Sequence, residues 1–295
     1  MCTMFQLPII CCNGIGDSLL VLSRIPIRIL GMLGIRFNLT CESSQHPAKK
    51  TLVPFFNEIK YVRYCDRAPS NRERFLFQKM MSLSQRVQHI WPVPHVKGYR
   101  IKKANKVAPT SNECRRRVLI QTHLDGHHQG LTAKIWRIEN WIYVIRSLHD
   151  LECEMAVMEW DASAMTQIKM ECPYVTDASQ GALAQLCSQM GEFDCVVSVD
   201  SSVKYSAAWR RLPQVILVAD VRRDYTPDLA GITDNWFAAW WFHGLLNNSE
   251  VRVIGLKRNN GQFEFALRTL GDLKPDQLLR EIKLQLKLKL GAARK

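Results

Sequence analysis

The alternation of apolar and polar positions is most regular over residues 194–220. An apolar run, Cys195–Val199, is short enough for a strand that is buried on both faces. It ends in three small polar residues, 200–202, of the kind that cap a helix and leave its first N–H groups free. A short helix over residues 204–211 and a second apolar run over 215–219 follow. The pattern predicts a strand–turn–helix–strand unit, and its polar turn lies where open α/β sheets bind their ligands.

The same alternation of predicted strands and helices extends over most of the chain. Ahead of this unit it predicts a strand over residues 7–12, a helix over 18–33, a strand over 35–39, and a helix and a strand within 52–64. Between residues 66 and 106 the pattern degrades, and it predicts no element there. Alternating strands and helices indicate an α/β protein with parallel, helix-covered sheets. The remaining predicted strands are 118–122, 155–158, 174–175 and 251–256, and the remaining helices are 139–148, 162–170 and 181–190.

A length of 295 residues fits two domains. Residues 104–117, with Pro109 among them, have the composition of a linker. We therefore predict one domain over residues 1–110, a second over 111–272, and a basic amphipathic helix over 273–295. The leucines and lysines of that helix could face a membrane, but we expect them to pack across the two domains, because the polar face is short and also carries acids.

The net charge of +13 is concentrated in one half of the chain. Residues 1–113 hold 17 basic and 6 acidic residues, a net charge of +11, whereas residues 114–295 hold 23 and 21, a net charge of +2. A basic surface favours an anionic partner such as a phosphorylated lipid head group, a nucleic acid or a membrane. A solvated surface without a partner is the alternative.

The ten cysteines and the apolar runs indicate a cytosolic protein. The cysteines form no CxxC pair, which argues against a zinc ribbon or a thioredoxin-type motif. No apolar run reaches the roughly 20 residues that a membrane span needs. The first residues lack the basic region of a signal peptide. A peripheral membrane contact is compatible with the basic N-terminal part.

Three stretches in a fixed order resemble a known family: NGIGDSLLVL at residues 13–22, TAKIWRIENW at 132–141 and VDSSVKYSAA at 199–208. Together they resemble the heptosyltransferases of glycosyltransferase family 9, which have the GT-B fold of two facing Rossmann-like domains. The resemblance covers roughly residues 7–35 and 116–222. It implies an inverting, metal-independent transferase that uses a nucleotide-diphosphate sugar and no separate cofactor.

In this resemblance Asp17 matches the catalytic base. Inverting glycosyl transfer needs a carboxylate that takes the proton of the acceptor hydroxyl as it attacks the anomeric carbon. Gly14 and Gly16 precede Asp17 and would let the backbone turn tightly and admit substrate. The alternative is that Asp17 only caps the helix that follows.

Lys134, with Thr132 beside it, matches the lysine that meets the donor diphosphate, although a surface lysine ahead of a helix is also common. We interpret Trp136 as a packing residue. Two residues that end a strand, Glu159 and Trp160, could contact the base or the ribose.

The residues Asp200, Ser201 and Ser202 match the family's turn at the donor diphosphate. Ser202 stands where the family has glycine, and Tyr205 stands where it has histidine. These departures put the usual donor or full activity in doubt, because tyrosine carries no charge at neutral pH.

Four residues in one loop, His123, Asp125, His127 and His128, are metal ligands by type. We instead interpret this segment as a mobile loop over the donor, with no metal.

The sequence therefore predicts a glycosyltransferase with an anionic, lipid-linked saccharide-like acceptor. Two alternatives remain: a transferase acting on nucleic acid such as a modified DNA base, and a non-catalytic descendant that binds a nucleotide sugar or a partner protein.

Overall fold

The computed structural model describes residues 5–11, 15–41, 49–87, 90–91, 115–122, 132–179, 190–221, 233–234, 238, 242, 244–246 and 248–287. Within them the chain forms two parallel sheets. Most of the predicted linker and the boundary at residue 110 fall outside these ranges, and so do most of the predicted helix over 181–190 and the histidine-containing loop. At the end of the predicted linker, Arg117 already belongs to a strand.

The N-terminal sheet has three parallel strands in the order β1–β2–β3. These strands confirm the predicted ones to within a few residues. They are β1 (Gln6–Cys11), β2 (Arg36–Cys41) and β3 (Val62–Tyr64).

Three helices connect these strands. The predicted single helix over residues 18–33 is two helices, α1 (Ile15–Ser23) and α2 (Ile27–Met32), separated at Pro26. Proline has no N–H to donate and clashes with the preceding turn, which explains the break. The third helix, α3 (Lys49–Glu58), lies between β2 and β3, as predicted.

A long helix, α4 (Asn71–Val87), occupies the region where the pattern predicted no element. It begins with a capping box: the Ser70 hydroxyl accepts from the Glu73 N–H at 3.3 Å, and the Ser70 N–H donates to the Glu73 carboxylate at 2.8 Å. Arg67 forms an ion pair with Glu73 at 2.6 Å. The hydrogen bonds from Arg67 hold the pKa of Glu73 at about 2. The helix therefore starts at a well-satisfied N-terminus.

The C-terminal sheet has six parallel strands in the order β6–β5–β4–β7–β8–β9. The predicted strand over 174–175 lies two residues later than expected, at Thr176–Asp177, because residues 173 and 174 form a turn after the preceding helix. The six strands are β4 (Arg117–Gln121), β5 (Glu154–Met158), β6 (Thr176–Asp177), β7 (Cys195–Val199), β8 (Gln214–Leu217) and β9 (Val251–Ile254).

Three helices follow strands of this sheet or lead into them: α5 (Ile138–His149), α6 (Ala162–Glu171) and α7 (Val203–Trp209). They confirm the predicted helices. A short 3₁₀ helix, Thr132–Lys134, precedes α5.

An antiparallel hairpin, β10 (Leu256–Asn259) and β11 (Gln262–Phe265), was not predicted. Its two loop residues, Asn260 and Gly261, have positive φ angles of 48° and 82°. Both central residues of a type I′ turn require such angles, and Asn-Gly favours this turn.

The last described helix, α8 (Pro275–Gln285), packs by its apolar face. Leu278, Leu279 and Ile282 are buried in the core of the six-stranded sheet, together with side chains of α5. Its buried leucines thus pack against the six-stranded sheet and α5, whereas packing across the two domains was expected. In the described part of the chain, no helix combines the length and the apolar character needed to cross a bilayer.

The helix α7 joins the two sheets. Tyr205, Ala208 and Trp209 lie in one buried cluster with side chains of α1 and α3, and the Trp209 ring stacks on Phe55 with 6.4 Å between centroids. On its other side, Val203 and Ala207 pack with residues of the six-stranded sheet. Both sheets therefore share this helix as packing surface.

The capping box of α4 gives a stability test. We expect Ser70→Ala to lower the free energy of unfolding by about 1 kcal/mol, because the hydroxyl caps an otherwise unsatisfied N–H. Ser82→Ala is the matched control: Ser82 is exposed within the same helix, and alanine there is equal or slightly better for the helix. Urea unfolding at neutral pH measures both, and equal changes in the two variants would contradict the assignment.

Candidate functional site

The candidate site lies where the strand order of the six-stranded sheet reverses. The adjacent strands β4 and β7 lead to β5 on one side and β8 on the other. This is the strand order of dinucleotide-binding sheets, which bind ligands at the carboxyl ends of the two central strands. The two strand ends contact each other here, since the Ser201 hydroxyl after β7 donates to the side-chain carbonyl of Gln121 in β4. The predicted polar turn thus occupies the switch point.

Three buried charged side chains, Lys134, Asp200 and Lys204, form what we call the two-lysine cluster. The Lys134 Nζ donates to Asp200 Oδ2 at 2.9 Å and to the Asp200 backbone carbonyl at 3.0 Å. The Lys204 Nζ donates to Asp200 Oδ1, one helical turn away. All three side chains are at most 5% exposed. One carboxylate therefore holds a lysine on each of its oxygens.

The electrostatics of this cluster favour an anion. Burial alone would raise the pKa of Asp200, but the ammonium groups of Lys134 and Lys204 outweigh it and lower the pKa to about 2. Asp200 is thus ionised at neutral pH, and two positive charges share one negative charge. Charges buried in a medium of low dielectric interact more strongly than in water, so the excess positive charge favours binding of an anion.

The turn between β7 and α7 carries the two predicted serines. The Ser201 hydroxyl also accepts from the Val203 N–H at 3.2 Å, which fixes the turn, and Ser202 is half-buried at the start of α7. The structure therefore brings Lys134, Asp200 and Ser201 together, as the sequence predicted.

Glu159 forms a second polar cluster at the ends of β4, β5 and β6. Its carboxylate accepts from the Thr122 hydroxyl at 2.6 Å and from the Asp161 N–H at 2.8 Å. The Ser179 hydroxyl donates to the Glu159 carbonyl at 2.8 Å. In sheets of this strand order, an acidic residue near this position hydrogen-bonds the ribose of a nucleotide.

The predicted N-terminal site residues are located at the start of α1. Gly16 and Asp17 lie in its first turn, whereas Gly14 lies outside the described residues. The helix α1 packs against α7. Immediately after α1, the buried Arg24 interacts with Tyr205, and burial lowers the pKa of Arg24 to about 10, so it remains cationic at neutral pH. The helix that carries Asp17 thus contacts the helix that carries Lys204 of the two-lysine cluster.

Two of the predicted donor residues, Tyr205 and Thr132, are not part of the two-lysine cluster. Tyr205 is buried between the two sheets, and the Lys204 Nζ lies 4.9 Å from the centroid of its ring. Thr132 is exposed at the start of the 3₁₀ helix. Trp136 packs edge-on against Trp141 and donates to the Leu273 carbonyl at 3.1 Å, which confirms its packing role.

The loop with His123, Asp125, His127 and His128 lies outside the described residues. Within the described part of the chain, no three His, Cys, Asp or Glu side chains are grouped as metal ligands would be.

Two parallel sheets that share α7 as packing surface, one of them with the strand order of a Rossmann-like domain, fit the predicted GT-B architecture, and solved structures confirm this fold. E. coli ADP-heptose LPS heptosyltransferase II superposes with a TM-score of 0.58 at 15% identity, over 98% of this chain and 100% of that one. An E. coli heptosyltransferase solved with ADP-2-deoxy-2-fluoro heptose gives 0.56 at 12% identity, over 95% and 99%. A family 9 glycosyl transferase from Veillonella parvula gives 0.58 at 10% identity, over 96% and 98%.

The similarity is structural. No protein-family model matches the sequence, and no curated protein is detectably similar to it. At identities of 10% to 15% the superpositions show that this chain has the GT-B fold of the heptosyltransferases.

Sequence reasoning missed Lys204 and Gln121. Lys204 lies four residues after Asp200, a spacing that pairs opposite charges across one turn of a helix, and this spacing was the available signal. Gln121 ends an apolar strand, and its contact with Ser201 spans 80 positions of sequence, so no local signal pointed to it.

The two-lysine cluster predicts a large effect of Asp200→Asn on stability. Removing one partner of a buried ionic group typically costs about 3–5 kcal/mol, and here two ammonium groups would lose the carboxylate that both contact. The matched control is Glu171→Gln, whose ion pair with Arg146 is about half exposed and should contribute no more than about 1 kcal/mol. Urea unfolding at pH 7 measures both variants.

The same cluster predicts how this difference depends on pH. The pKa of Asp200 is lowered on folding, so its contribution is present above the unfolded pKa, about 4, and is lost as the pH falls toward the folded pKa of about 2. The stability gap between wild type and Asp200→Asn should therefore shrink between pH 4 and pH 2. A gap that stays constant across this window would contradict an ionised Asp200.

Proposed function

We propose that this chain is an inverting glycosyltransferase that moves a sugar from a nucleotide-diphosphate sugar to an anionic acceptor, without a metal ion or a separate cofactor. The observation that carries the proposal is the two-lysine cluster at the switch point of a GT-B fold. This cluster is buried, carries one excess positive charge and sits where such sheets bind nucleotides.

The donor is assigned from the two polar clusters. The two-lysine cluster is suited to a diphosphate, and Glu159, at the end of β5, is suited to ribose hydroxyls. The E. coli heptosyltransferase with the same fold was solved with an ADP-sugar analogue, which favours a nucleoside diphosphate over a monophosphate donor. Lys134 would meet the diphosphate, and Lys204 would hold Asp200 so that Asp200 does not neutralise Lys134 completely.

The reaction follows from these assignments. The acceptor hydroxyl attacks the anomeric carbon from the face opposite the diphosphate, and Asp17 takes its proton. The bond between the anomeric carbon and the diphosphate oxygen breaks, and its electron pair leaves with the nucleoside diphosphate. Lys134 stabilises the negative charge that develops on that leaving group. The packing of α1 on α7 supports placing the base and the diphosphate site in one cleft.

The acceptor is assigned from charge. The net charge of +11 over residues 1–113 favours an anionic acceptor such as a phosphorylated, lipid-linked saccharide. Nucleic acid is the alternative, and its binding would weaken steeply with salt because phosphate contacts release counterions.

Donor binding is the first test. We expect one of ADP-, UDP-, GDP- or CMP-sugars to raise the melting temperature of the wild type, since a ligand of the native state stabilises it by mass action. Lys134→Met should abolish this shift because it removes the charge that meets the diphosphate. A thermal-shift titration measures it.

Lys169→Met is the control for that titration, because Lys169 is about half exposed and pairs with Asp177 at the surface. It should respond to the donor as the wild type does. If no nucleotide sugar shifts the wild type, the donor assignment is wrong, and binding to DNA becomes the next test.

The role of Asp17 is tested separately. We expect Asp17→Asn to bind the donor normally but to lose about 10²–10⁴-fold in transfer rate, the usual contribution of a general base. The readout is release of nucleoside diphosphate in the presence of phosphorylated glycolipid acceptors. Full transfer activity in this variant would show that Asp17 only caps α1, and donor binding without any transfer by the wild type would indicate a non-catalytic descendant.

A further inference from the structure

A stripe of exposed side chains runs along α4, and we call Arg72, Phe75, Leu76, Lys79 and Leu83 the α4 stripe. With 3.6 residues per turn, these five positions fall on one face of the helix, about 100° wide. The three apolar side chains are 57%, 39% and 65% exposed, respectively.

The opposite face of α4 is the one that packs. Met81 is buried in the core of the N-terminal sheet, Phe77 and Met80 pack against that core, and α4 contacts β1. The helix therefore has two apolar faces: one packs within the described part of the protein, and the other is exposed. Burying large apolar side chains is favourable, so exposure of three on one helix marks an interaction surface.

The charge of the stripe identifies the kind of partner. Its two charged residues, Arg72 and Lys79, are both basic, and the Lys79 Nζ lies 5.6 Å from the centroid of the Phe75 ring. The acid nearest in sequence, Glu73, lies outside the stripe and is bound by Arg67. Apolar side chains interleaved with exposed cations are typical of helices that lie in the interface of an anionic bilayer.

Two other occupants are disfavoured by charge. A second copy of this chain would bring together two molecules of net charge +13. The chain segment 92–114 carries five basic residues and one acidic residue, so it has the same sign as the stripe. Neither the second copy nor this segment would provide an anionic surface to pair with Arg72 and Lys79.

We propose that the α4 stripe docks this protein on the surface of an anionic membrane. Phe75, Leu76 and Leu83 insert among the lipid head groups, and Arg72 and Lys79 contact the phosphates. The proposal does not rest on the proposed transferase activity.

Vesicle flotation of the full chain tests the docking. We expect the wild type to float with vesicles made of equal parts phosphatidylcholine and phosphatidylglycerol, but not with phosphatidylcholine alone, and to be released by high salt. Phe75→Ser/Leu83→Ser should weaken the binding by about tenfold or more, because it removes two inserted apolar side chains.

Two controls keep the result specific. Gln78→Ala/Ser82→Ala changes exposed α4 residues outside the stripe, and Met32→Ser/Leu33→Ser removes two exposed apolar side chains at the C-terminal end of α2. Both should float as the wild type does, and urea unfolding should show that the stripe variant is folded.

The outcomes are distinct. Binding that depends on the stripe residues and on anionic lipid supports the proposal. The proposal is overturned by any of three results: the wild type binds neither kind of vesicle, the stripe variant binds as well as the wild type, or only the α2 variant loses binding. A dimeric wild type that the stripe variant makes monomeric would also overturn it, and would identify the stripe as an interface between copies.

Discussion

The carboxylate of Asp200, held between two buried ammonium groups, is the interaction on which the candidate site depends. It connects the 3₁₀ helix that ends at Lys134 with a segment 66 residues further along the chain, where β7 ends and α7 begins. Burying three charges costs several kilocalories per mole for each ion, and only close pairing offsets that cost. The geometry of the turn is therefore tightly constrained, because any shift of Asp200 would leave at least one lysine buried without its partner.

One helix, α7, contributes both to the site and to the contact between the sheets. All seven residues of α7 are buried. Its first turn supplies Lys204 to the cluster, while Tyr205 and Trp209 pack against the N-terminal helices. The Phe242 ring also lies 4.3 Å from the Lys204 Nζ, so an aromatic face lies against the ammonium group that Asp200 binds. A movement of one sheet relative to the other would thus displace α7 and, with it, the contact between Lys204 and Asp200.

Sequence reasoning recovered the parallel strands and the turn because each has a local signature. The run Cys195–Val199 is buried at every position, as its mostly apolar character predicts. The pattern failed at α4 because Phe75, Leu76 and Leu83 are apolar and yet exposed, so that apolar residues occur around most of the helix and the 3.6-residue period is blurred. The capping box at Ser70 and Glu73 was the signal that could have located this helix. The Asn260-Gly261 turn of the hairpin was a similar signal.

For the site, the sequence predicted that Lys134, Asp200 and Ser201 lie together. It did not identify Gln121 and Lys204, whose contacts with these residues form only in the folded protein. The contact between Gln121 and Ser201 depends on β4 and β7 being neighbours, which follows from the reversal of strand order and not from either sequence. The depressed pKa of Asp200 likewise depends on burial and on a second lysine whose role appears only when α7 is folded.

The hydrogen bond from Trp136 to the Leu273 carbonyl has a consequence for how the protein is made. Trp136 lies two residues after Lys134, and Leu273 lies immediately ahead of α8, which packs on α5. The turn that carries Lys134 is thus supported by nearly the last described residues of the chain. During synthesis on a ribosome, the six-stranded sheet can assemble as soon as β9 has emerged, but the turn that carries Lys134 gains this support only when Leu273 and α8 have left the exit tunnel. The two-lysine cluster would accordingly reach its final packing later than the sheet that carries it.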